Sequence, residues 1–158
     1  MRTIEAKSQG QGLRVAVVAS RFNLTVSQRL LDGCIARLRE LGCDDIEVLW
    51  VPGAFEIQIT MQTAAETGRY DALIAVGAVI RGETAHFDYV CQGVTDGLRD
   101  VSLRSRIPVA FGVLTTETVE QALERAAAPG ESGKNKGAEA AEVALEMANL
   151  LSTLRKGD

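Results

Sequence analysis

The sequence holds a single histidine, His86, and three cysteines, Cys34, Cys43 and Cys91. One imidazole and three scattered thiols lack zinc-ligand spacing, so no metal centre is expected. Two of the cysteines fit the apolar faces of helices, where reduced thiols are usually buried. No Ser-His-Asp arrangement can be argued. Positive charge is also in short supply. The net charge is −4, with no Lys/Arg cluster or basic stripe, which argues against nucleic acid and anionic membranes as partners. No apolar run approaches the roughly 20 residues that span a bilayer. Residues Met1 to Gln11 are polar and do not read as a signal peptide, so a reducing cytoplasm is expected. No internal repeat or linker interrupts residues 1–158, which are read as one domain.

What is present is an alternation of apolar strands and amphipathic segments. At 46% hydrophobic residues, a globular core is expected. Leu13 to Ala19 is a continuous run rich in β-branched residues, the mark of a strand covered on both faces. Asn23 is the candidate cap of a helix whose stripe runs Val26, Leu30, Cys34, Leu38 and Leu41. Ile46 to Val51 reads as a second strand, stopped by Pro52-Gly53. Ala54 to Thr67 reads as a helix, Ala72 to Ala78 as a third strand, and Pro108 to Leu114 as a fourth. Between the last two, Phe87, Val90, Cys91, Val94, Leu98 and Val101 trace a helix. Thr115-Thr116 is expected to cap another, and Ala138 to Leu154 forms the last. The order predicts an α/β, flavodoxin-like doubly wound sheet of four parallel strands in order 2-1-3-4, flanked by helices. The polar residues 1–12 have the option of an additional edge strand or an arm on a neighbour.

Open α/β sheets bind ligands at the carboxyl ends of their strands. Here those ends carry Arg21-Phe22-Asn23, Pro52-Gly53-Ala54-Phe55-Glu56, Val79-Ile80-Arg81-Gly82-Glu83-Thr84 and Thr115-Thr116-Glu117. An aromatic ring, a carboxylate, hydroxyls and the amides of helix starts suit a flat heterocycle plus an anion. His86 lies in the first turn of a helix, where the dipole disfavours imidazolium. A lone histidine there reads either as a satisfied surface or core residue or as a proton carrier. Arg125, Lys134 and Lys136 read equally as solvated charges or as anion ligands. Gly130-Glu131-Ser132-Gly133-Lys134-Asn135 only echoes a phosphate loop. Its glycines are two residues apart, Asn135 replaces the hydroxyl, and it follows a helix.

Taken together, these segments resemble the 6,7-dimethyl-8-ribityllumazine synthase family. The matching pieces are Arg21-Phe22-Asn23, Trp50 to Glu56, Gly77 to Cys91, Phe111 to Glu117, Glu124-Arg125-Ala126 and Asn135-Lys136-Gly137. The resemblance implies a transferase-type condensing enzyme of riboflavin biosynthesis with no cofactor. It would join 5-amino-6-(D-ribitylamino)uracil to 3,4-dihydroxy-2-butanone 4-phosphate, releasing phosphate and water. Carried over by position, Phe22 stacks on the pyrimidine. Ala54, Phe55, Glu56, Ala78, Val79, Ile80 and Phe111 hold the uracil and ribityl side. Glu83, Thr84, Arg125 and Lys136 hold the phosphate, and His86 moves protons. The resemblance also implies a pentamer with sites completed across subunit contacts, and riboflavin synthase as a pathway partner.

One departure concerns the turn between the last two helices. Many family members have a compact Gly-Thr-Lys-Ala-Gly-Asn turn there and build icosahedral shells. Ala127 to Asn135 is longer and contains Pro129, which predicts a protruding loop and a free pentamer, or at most a pair. The alternatives are a non-catalytic flavin- or lumazine-binding module, which need not keep His86 and Arg125, and a scaffold protein, which need not keep the strand-end loops.

Overall fold

The computed structural model describes residues 1–157. Four parallel strands form one sheet in the order β2-β1-β3-β4: β1 is Arg14–Ser20, β2 Asp45–Val51, β3 Ala72–Ile80 and β4 Val109–Thr116. Five α-helices alternate with them: α1 Leu24–Glu40, α2 Ile57–Glu66, α3 His86–Ser105, α4 Val119–Glu124 and α5 Lys136–Lys156. The expected doubly wound α/β architecture and strand order are therefore observed.

The strand runs are apolar because both faces of a parallel sheet are covered. Val15, Val17 and Ala19 of β1 face one layer with Leu30, Cys34 and Leu38 of α1 and Ala141, Ala144 and Leu145 of α5. Ala16 and Val18 face the other, with Ile57 and Met61 of α2 and Val94 and Leu98 of α3. On the first side, small residues bring helices close together. A Cβ on Gly137 of α5 would overlap the carbonyl oxygen of Leu30, and one on Gly33 of α1 would overlap the Asn135 amide. On the second, a Cβ on Gly93 of α3 would lie 2.7 Å from the Phe55 ring. Burial of this kind is worth about 25 cal/mol per Å² of apolar surface.

Several boundaries differ from the periodicity. Strand β4 extends through Thr115 and Thr116, which pair with Val79 and Ile80 of β3. The cap of α4 is consequently Thr118, whose hydroxyl accepts from the Gln121 amide, rather than Thr115-Thr116. The expected helix from Ala54 opens as a 3-10 turn, Ala54–Glu56, ahead of α2. Helix α5 begins at Lys136, two residues early, because the Asn135 side chain accepts from the Ala138 amide and caps it. Asn23 occupies the residue before α1 but makes no side-chain cap. Residues 1–9 form no strand within the chain; Lys7 and Gln9 instead accept hydrogen bonds from the Asn149 amide through their carbonyls.

Between α4 and α5 the chain folds into a pinned loop. Ala126 and Asn135 form an antiparallel bridge, and the Ala127 amide donates to the Lys134 carbonyl at 3.0 Å. Asn135 donates to the carbonyls of Arg29 and Ala127, and Arg29 pairs with Glu131 at 3.2 Å.

Candidate active site

The strand order reverses direction at β1, so the loops after β1 and β3 part company and leave a crevice between them. The sheet register opens it further. Pairing of β1 with β3 ends at Ala19 and Val76, whereas β3 continues alongside β4 to Ile80 and Thr116. The last residues of β3 thus have no strand beside them on the β1 side. A cavity of about 610 Å³ lies there.

Its lining collects most of the candidates. Phe22 comes from the loop after β1, Ala54, Phe55 and Glu56 from the turn after β2, and Ala78, Val79 and Ile80 from the end of β3. Thr84 and His86 come from the approach to α3 and its first residue. Gly53 and Gly82 of the strand-end loops line it as well, with Phe87, Tyr89 and Val90 of α3, and none of these five was assigned a site role from sequence. Tyr89 and Val90 could have been, since they fall three and four residues after His86 and share its helix face. Glu83 is exposed and adjoins the cavity in sequence without lining it.

His86 is exposed, and its backbone amide donates to Thr84 Oγ1 at 3.3 Å. Because that hydroxyl oxygen accepts, its own hydrogen remains available to an anion. The helix start has Ala85 at the cap position, with no side-chain cap. Arg81 supplies the anchorage instead. Its guanidinium bonds Asp88 at 2.9 Å and Glu117 at 2.7 Å and lies 4.4 Å from the centroid of the Phe87 ring. Hydrogen bonds to Asp88, then to Glu117, push the Arg81 pKa further up. Each contact is solvent-exposed and individually weak, but together they fix α3 against the loop after β4.

The remaining candidates lie elsewhere. Phe111, Arg125 and Lys136 line a second concavity of about 590 Å³, with Thr115, Glu139 and Val143 among its other walls. No residue lines both hollows. This second one is built on β4, an edge strand of the sheet, and on α5. Arg125 ends α4 and donates to the Gln121 carbonyl at 2.9 Å; Lys136 pairs with Glu139 at 2.6 Å. Arg125 has five N–H donors, so most remain for a ligand. An aromatic ring and two cations thus share one concavity on an edge strand of the sheet.

Comparison with known proteins agrees with the motifs. Residues 12–152 match the family model described as 6,7-dimethyl-8-ribityllumazine synthase. The chain is also 49% identical, over 160 aligned positions, to a protein of Lactiplantibacillus plantarum named 6,7-dimethyl-8-ribityllumazine synthase. That alignment covers 100% of this chain and 99% of the relative.

Proposed function

We propose a function from one premise: the chain belongs to the 6,7-dimethyl-8-ribityllumazine synthase family. It is a transferase-type enzyme that condenses 5-amino-6-(D-ribitylamino)uracil with 3,4-dihydroxy-2-butanone 4-phosphate in riboflavin biosynthesis. The observation that supports the assignment of roles is the division of the candidate residues between two separate hollows. One holds a heterocycle-sized apolar space with a carboxylate and the histidine; the other holds the cations and Phe111.

In this reading the pyrimidine stacks on Phe22, with its edge against the end of β3 at Val79 and Ile80, beside Ala78. Ala54, Phe55 and Glu56 hold the uracil and ribityl groups. The amine of the uracil attacks the ketone, and water leaves to give an imine. Phosphate elimination, ring closure and a second dehydration complete the lumazine. His86 carries protons between these steps. The Glu83 and Thr84 segment at the α3 start, with Arg125 and Lys136, holds the phosphate through helix-end and charge-assisted bonds. Holding two reactants in register supplies much of the rate, which suits a site without a strong nucleophile.

The two hollows meet only if β4 and α5 of one protomer cover the cavity of the next. Such head-to-tail contacts close into a ring, and a pentamer is the ring we propose. The exposed loop at 129–134 obstructs further packing of pentamers, leaving a free pentamer or at most a pair. We also read residues 1–158 as one domain of this family, acting in a reducing cytoplasm. The thiols of Cys34, Cys43 and Cys91 are free, and burial pushes Cys34 up to about 12. As the penultimate step, the reaction feeds riboflavin synthase, the candidate pathway partner. Incubation with both substrates tests the reading: lumazine absorbance and one equivalent of phosphate should appear together. A folded protein that releases no phosphate would refute it.

A further inference from the structure

Phe22 is, with Tyr89, among the most exposed aromatic residues of the cavity lining. Its ring is 71% exposed, so packing does not set its direction. What fixes it must be the backbone. The Arg21 amide donates to the Val51 carbonyl at 2.8 Å and the Phe22 amide to the Pro52 carbonyl at 3.0 Å, tying the loop to the end of β2. Ser27 Oγ donates to the Phe22 carbonyl at 3.3 Å, tying it to α1.

The third tie comes from Asn23. This residue has φ 57° and ψ 50°, the left-handed region, which asparagine enters more readily than other side-bearing residues. Asparagine before a helix normally turns its side chain onto the helix amides. Here it makes no such cap. Its Nδ2 instead donates to the Ala78 carbonyl at 2.9 Å, 55 residues along the chain. That carbonyl belongs to the stretch of β3 that has outrun β1 and lost its neighbour on that side. Asn23 thus replaces the missing strand. It spans the crevice behind Phe22 and locks the ring's loop to a cavity wall.

We propose that Asn23 is a positioning residue for the pyrimidine subsite, setting the distance between the Phe22 ring and the Ala78 to Ile80 edge. The proposal rests on the reading of Phe22 as the stacking ring. Left-handed backbone at a functional loop is the kind of local cost that a fold retains where geometry matters.

Asn23→Asp keeps the backbone preference but sets an acceptor against the Ala78 carbonyl; Asn23→Gly keeps the backbone freedom and removes the amide. Losing a bond to a partly buried carbonyl should raise KM for the uracil amine about tenfold in both variants. KM for the butanone phosphate should move less than about twofold, because the phosphate ligands are untouched. The discriminating measurement is the same pair of substitutions in a Phe22→Ala background. If Asn23 acts through the ring, the second change adds little there, a non-additivity expected of residues that work as a unit. Equal factors in both backgrounds would overturn the proposal, since Asn23 would then act independently of the ring. An unchanged KM in Asn23→Asp beside a raised KM in Phe22→Ala would overturn it too. So would a parallel rise in both KM values with a lowered Tm, which marks a purely structural tie. Phe22→Ala with unchanged KM would instead strike down the stacking reading itself, and the positioning role with it.

Discussion

If each site draws His86 from one protomer and Arg125 from the next, two crippled variants should repair each other. Consider His86→Ala, which damages the cavity on β1 to β3, and Arg125→Ala, which damages the hollow on β4 and α5. Alone, His86→Ala should lower kcat roughly ten- to a thousandfold, at or below the span of an acid/base group. Arg125→Ala should raise KM for the butanone phosphate about ten- to a hundredfold, the worth of a charge-assisted contact, and leave KM for the uracil amine nearly unchanged. Now unfold, mix equally and refold the two. In a ring with random order, the cavity half is intact at about half of the contacts and the cation half independently at about half, so about one quarter of sites are whole. This fraction does not depend on the number of protomers. Phosphate release measured below saturation should therefore return to about a quarter of the unmutated rate, well above either parent. A mixture no more active than the mean of its parents would show that both residues serve the same protomer, and the proposed architecture would fall.

Three shorter tests follow. Light scattering at neutral pH should give a mass near that of five 16.9 kDa chains, or at most ten; a megadalton particle would remove the loop from the account of assembly. Shortening Pro129 to Lys134 to a compact turn should move the protein toward larger particles if the loop is the obstruction. Gly137→Ala forces α5 away from the Leu30 carbonyl and should cost about 1–3 kcal/mol, the usual penalty of overpacking. At fixed protein concentration that is a Tm lowered by several degrees; an unchanged Tm would mean the α1–α5 contact yields freely.

The strands and their order were legible because a parallel sheet writes its burial into continuous apolar runs, as in Val15 to Ala19. The ends were less so. Thr115 and Thr116 read as a helix cap, but they are β-branched and pair with Val79 and Ile80, so β4 runs on. The start of α5 was hidden because Lys136 and Gly137 carry no apolar stripe, while the cap at Asn135 is a side-chain geometry. For the candidate site, position at a strand end pointed to the loops that line the 610 Å³ cavity, and the family motifs supplied the candidate residues. What they could not reveal were partnerships across the chain. Arg81 meets Glu117 at a separation of 36 residues, and Asn23 looks like an ordinary cap until β3 is found to outrun β1. The predicted order 2-1-3-4 already put β4 at an edge, but which side chains gather in each of the two hollows depends on the packing of α4 and α5.

The pinned loop between α4 and α5 has a use that nature need not have intended. Its two ends are held in fixed separation by the Ala126–Asn135 bridge and by the Asn135 side chain, whatever lies between them. Residues 129–134 are exposed, and the ion pair of Glu131 with Arg29 is solvated and worth at most about 1 kcal/mol. Each doubling of such a loop costs only about 0.6 kcal/mol of closure entropy. Foreign peptides spliced between Pro129 and Gly133 would therefore be carried as outward-facing grafts, one per protomer, without disturbing the helices on either side. In a ring, every copy would emerge at the same height, making the scaffold a ready-made multivalent display.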